Sequence, residues 1–157
     1  MKKTIFYAAL TAAVLLTGCT GMKQTTAGKN AKLPEIQLEE AQNTANTFMA
    51  QFLTAIRQKE CQKINKAILT ETVAANMTPD SFAKYSSGIE KHFGKAVNSV
   101  YVCDLSNPLY RSFIWKLTFE RQTSDPAAKP IVADVLFQVQ VVRIDNGYKV
   151  LNFIITS

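Results

Sequence analysis

With a single histidine in 157 residues, this chain has almost no imidazole chemistry to offer. Any such role falls on His92, and no Ser-His-Asp set can be assembled, because no local motif supplies its partners. One His and three Cys, with no acids at ligand spacing, do not reach the three or four donors of a metal site. The six glycines form no phosphate-cradling loop, so no nucleotide cofactor is expected. Lys and Arg outnumber Asp and Glu, yet they are scattered without a basic block, and nucleic acid is therefore excluded as a partner. No apolar run approaches the about 20 residues that a membrane-spanning helix needs.

What is there begins at the N-terminus. Lys2 and Lys3 precede an apolar run from Ile5 to Leu16, and small residues lead into Cys19, which is the order of a secretory signal. Leu16-Thr17-Gly18-Cys19 resembles the lipobox of bacterial lipoproteins. That resemblance implies a signal peptide over residues 1–18, cleavage after Gly18 and a diacylglycerol on Cys19, with each buried methylene contributing about 0.8 kcal/mol to the anchor. The alternative is an ordinary secreted protein whose cysteine falls beside the cleavage site. Thr20, where an Asp would favour inner-membrane retention, implies by resemblance a cell-envelope protein on the outer membrane, facing the periplasm.

Removing residues 1–18 lowers the formal net charge from +6 to +4. Residues 19–37 are poor in anything to bury and read as a lipidated flexible tether spanning about 20 to 25 Å. Two cysteines then remain. In an exported chain Cys61 and Cys103 suggest a disulfide, worth about 4 kcal/mol as an upper estimate, the alternative being two buried free thiols.

Hydrophobic spacing organises residues 38–157. Ala41, Ala45, Phe48, Phe52 and Ile56 recur at steps of three and four after Leu38, predicting a long amphipathic helix that breaks near Gln58–Glu60. Cys61, Ile64, Ala67 and Ile68 continue the spacing as a short second helix, and residues 69–77 are ambiguous. Thr78-Pro79-Asp80 starts a third helix and Gly94 stops it, with Phe82, Tyr85, Ile89 and Phe93 on one face. The period then changes to two. Strands are expected at about 96–105, 110–122, 131–144 and 148–156, the last two joined by an Asp145-Asn146-Gly147 hairpin.

Helices followed by an antiparallel meander give an α+β domain, with the helices on one face of a curved four-stranded sheet. The element order, Phe93-Gly94-Lys95-Ala96-Val97 and Gly147-Tyr148-Lys149-Val150-Leu151-Asn152-Phe153 together resemble the NTF2-like (cystatin-like cone) superfamily. In its enzymes, chemistry sits inside the cone on carboxylate, His or Tyr groups. The resemblance therefore makes Tyr85, Tyr101, Trp115 and Asp134 candidate pocket residues, although the aromatics equally fit a plain core. Asp134 faces either a pocket or solvent, beside Gln138 and Gln140. The resulting expectation is a membrane-anchored lipoprotein that is not an enzyme, whose domain holds an envelope protein or a small apolar ligand. The alternative is an isomerase or dehydratase using Asp134. The superfamily also implies a homodimer through the sheet.

Overall fold

The computed structural model describes residues 37–125, 127–145 and 147–156. The chain divides into Met1–Pro34 and Glu35–Ser157, and the description concerns the second unit. The expected signal peptide, Cys19 and nearly all of the tether lie outside the described residues, as does Asn146 of the hairpin.

Helix α1, Leu38–Gln58, buries Ala41, Ala45, Phe48, Met49, Phe52, Ala55 and Ile56. Glu39 and Glu40 in its first turn and Arg57 in its last complement the helix dipole. It ends where Lys59 turns left-handed at φ 58° and donates its N–H to the Ala55 carbonyl. The short helix expected over Cys61–Ile68 is instead two single turns, Cys61–Lys63 and Lys66–Ile68. Ile64 and Asn65 are extended between them, and the Asn65 side chain accepts the Ala67 N–H that a continuous helix would have used. Helix α2, Glu71–Asn76, follows within the stretch that the sequence left open, with its start capped by Thr70. Helix α3, Pro79–Phe93, has the expected Thr78 cap and Gly94 stop.

The four strands are β1 (Lys95–Ser106), β2 (Arg111–Arg121), β3 (Ile131–Ile144) and β4 (Gly147–Thr156), all antiparallel in the order β1-β2-β3-β4. Alternation turns Phe113, Trp115, Leu117 and Phe119 of β2 and Val135, Phe137, Val139 and Val141 of β3 towards the helices, where all are buried. Phe48 and Phe52 of α1 stack on Phe137 at centroid distances of 6.5 and 4.6 Å. Each fully buried ring of this kind contributes about 1.5 to 3 kcal/mol. The Gln37 N–H donates to the Tyr148 hydroxyl at 2.8 Å, and Arg57 donates to the Ala96 carbonyl at 3.3 Å, so α1 crosses the sheet from β4 to β1.

The curved sheet of an NTF2-like cone is not what forms. The sheet is open, and β1 and β4 are its two separate edges. Bulges are what bend a sheet, and the central β2–β3 ladder has none, running unbroken from Arg111–Val141 to Arg121–Ile131. The disulfide is corrected as well: Cys61 and Cys103 are both free. Cys61 is buried in the core, whereas Cys103 is paired opposite Ile114, on the face of the sheet turned away from the helices. The sheet lies between the two thiols.

Candidate functional site at the open sheet edge

The four candidate pocket residues do not converge. Tyr85 projects from α3 into the core, with its ring 6.2 Å from Phe52 and 6.0 Å from Phe153, and burial pushes its hydroxyl pKa up. Tyr101 and Trp115 meet edge to face at 5.7 Å on β1 and β2. Asp134 points to the opposite side of the sheet, into solvent. There its carboxylate accepts the Thr118 hydroxyl at 2.7 Å and lies 3.3 Å from the Lys116 ammonium, contacts that hold its pKa below the usual aspartate range. The function built on a cone pocket, with an apolar ligand or with Asp134 as acid, is overturned by this geometry. His92 is exposed in the last turn of α3, near the Phe93 ring, and its carbonyl accepts from Arg121 at 3.4 Å.

A shallow groove of about 340 Å³ separates the end of α3 from the start of β1, with Ile56, Ile89, Ala96 and Phe119 among its walls. Three of its polar side chains are already engaged. Arg57 is spent on the Ala96 carbonyl, the Ser86 hydroxyl donates to Ala83, and Glu90 pairs with Lys59 at 2.8 Å. Among the described residues no group of His, Cys, Asp or Glu could hold a metal ion, and no helix is long and apolar enough to cross a membrane.

The unusual surface is β1. Its outer side pairs with nothing among the described residues, yet Val97, Val100, Val102 and Leu105 are all exposed along it. Proteins usually guard such an edge with Lys, Pro or bulges, and β1 has neither Lys nor Pro between Ala96 and Ser106, only bulges. Two bulges, at Val97 and Val102, interrupt its pairing with β2. Near the far end Asp104 accepts from Arg111 through Nε at 2.7 Å and Nη2 at 2.6 Å, and from the Tyr101 hydroxyl at 3.1 Å. The Arg111 hydrogen bond is the main reason that the Asp104 pKa is depressed. This network stiffens the end of the strand and fixes the Tyr101 ring beside the edge. Sequence reasoning passed over Val100, Val102 and Asp104, and took Val97 and Arg111 only as parts of a motif and of an ordinary amphipathic strand. A signal was present, because the first strand of a simple meander is necessarily an edge.

No family model matches the chain, and no curated protein matches it. Among solved structures the chain is distantly similar to the intermembrane space region of the chloroplast protein ARC6. It is 9% identical at a TM-score of 0.42, covering 79% of this chain and 99% of that one, and nothing about function transfers at that level. Neither the lipoprotein resemblance nor the NTF2-like one gains support from these comparisons.

Proposed function

We propose that the domain of residues 38–157 works by strand addition at β1, as an assembly domain without a catalytic centre. The observation that carries this reading is a twelve-residue edge with four exposed aliphatic side chains and no charged or proline guard along its middle. An extended strand laid along it gains main-chain hydrogen bonds, each worth about 1 kcal/mol net, together with apolar contact on both faces. Photo-crosslinking residues placed at Val97 and at Val102 in the expressing cell test it. Adducts from both positions, lost when Val100→Lys is added, are expected. Adducts only from a control probe at Lys149 on β4, or none from β1, would sink the reading.

Location belongs to the same proposal. Leu16-Thr17-Gly18-Cys19 supports attachment to a cell-envelope membrane through lipid on Cys19, which would hold the edge near a surface. An intact mass of the chain lacking residues 1–18 and carrying a diacylglycerol is expected from the membrane fraction. A full-length, unmodified chain would remove the anchor.

A further inference from the structure

We infer that the strand added at β1 is an acidic segment of another protein, which sets a bulky apolar side chain flanked by carboxylates where β1 begins. This rests on the reading of β1 as an assembly edge. The groove between α3 and β1 runs into that edge, because Val97, the bulged and exposed residue of β1, is one of its walls. A second depression of about 390 Å³ adjoins it, sharing Glu90, Gly94, Lys95 and Val97 and reaching Arg121. A strand laid along β1 passes both. Ile56, Ile89 and Phe119 give the groove its apolar walls, and Ala96 beside them is the smallest side chain of β1. Next to so small an edge residue, the neighbouring strand has room for a large apolar one.

Charge fixes the rest of the occupant. Arg57 lines one depression and Arg121 the other, and among the described residues each bonds only a main-chain carbonyl, Ala96 at 3.3 Å and His92 at 3.4 Å. Such a bond uses one of the five N–H groups of a guanidinium and leaves its charge without a carboxylate. The nearby acids do not supply one. Glu90 is held by Lys59 at 2.8 Å, and Glu120, paired opposite Lys95, points to the face of the sheet turned away from the helices. Further along, Asp104 is the only acid of β1, and Arg111 already answers it. The edge therefore offers unanswered guanidinium groups at its start and no free carboxylate along its length, and a carboxylate on the incoming strand is their best partner. A second copy does not fit this requirement, because its β1 would bring Lys95 and an Asp104 that is already paired.

Binding of labelled peptides to the full chain, read by fluorescence anisotropy, tests the inference. The probe is a threonine-valine peptide with Glu-Phe-Glu at its centre. It is expected to bind at least tenfold more tightly than the same peptide carrying Lys-Phe-Lys or Glu-Ala-Glu. Arg121→Glu is expected to cut the preference between the two charged peptides at least fivefold. Arg121 is exposed, so the variant keeps its fold, and an unchanged thermal transition checks that. Equal binding of the two charged peptides, or a preference that Arg121→Glu leaves alone, would overturn the inference. Crosslinks from Val97 that join two copies of this chain would overturn it as well. If no peptide binds while Val97 and Val102 still crosslink to another protein, strand addition stands and only the acidic partner falls. If those crosslinks are also missing, both fall.

Discussion

A β carbon on Gly94 would collide with the main chain of Glu120, lying 2.6 Å from its carbonyl carbon and against its carbonyl oxygen. Gly94 also has φ +95° and ψ −148°, a region that only glycine visits without strain. Gly94→Ala therefore combines backbone strain with displacement of β2. We expect a loss of at least about 3 kcal/mol in urea denaturation. A loss below about 1 kcal/mol would mean that α3 and β2 are not held this closely.

The start of α3 is closed reciprocally. The Ser81 N–H donates to the Thr78 hydroxyl at 3.2 Å, and the Thr78 N–H donates to the Ser81 hydroxyl at 3.1 Å. Thr78→Ala is expected to cost about 1 kcal/mol, and Thr78→Ser only a few tenths. Equal denaturation midpoints for the two variants would contradict the capping account.

Acid should weaken the fold through Asp104. Its pKa is depressed below the ordinary 3.8 first by the Arg111 hydrogen bond, so its contribution is complete above pH 3.8 and is lost as pH falls through the lower folded value. Urea midpoints measured downward from pH 7 should decline below that point, and less steeply in Arg111→Met. Glu90, held by Lys59, and Asp134, held by Thr118 and Lys116, titrate in the same direction, so the slope flattens without vanishing. Parallel profiles for the two proteins would remove Asp104 from the account.

Reductant should leave the melting temperature of a Cys19→Ser chain unchanged, because Cys61 and Cys103 are free thiols. Alkylation under native conditions should label the half-buried Cys103 well before Cys61, which is 4% exposed. A melting temperature that drops on reduction would restore the disulfide.

Much of the architecture was legible because its signals are local. The step of three and four through Phe48, Phe52 and Ile56 marked α1, Thr78 and Gly94 bounded α3, and strict alternation from Phe113 to Phe119 marked β2. Apart from the Cys61–Ile68 helix, which Asn65 breaks locally, the overturned readings depended on where distant segments meet. Whether Cys61 reaches Cys103 turns on which side of the sheet each occupies, and one residue of bulge decides that. Whether Asp134 enters a pocket turns on curvature, which the bulge-free β2–β3 ladder does not supply. The edge itself was hidden because alternating valines read alike in a covered strand and an open one; only strand order tells them apart.

The two rims of the sheet are treated differently by the chain. At β4, Leu69 forms a parallel bridge with Val150, and the Thr70 N–H donates to the Val150 carbonyl at 3.0 Å, so the molecule partly seals that rim itself. A chain with two equally adhesive rims would polymerise without limit, head to tail. Here the β4 rim already carries its stopper, so a strand added at β1 would leave no second open edge from which a fibre could grow.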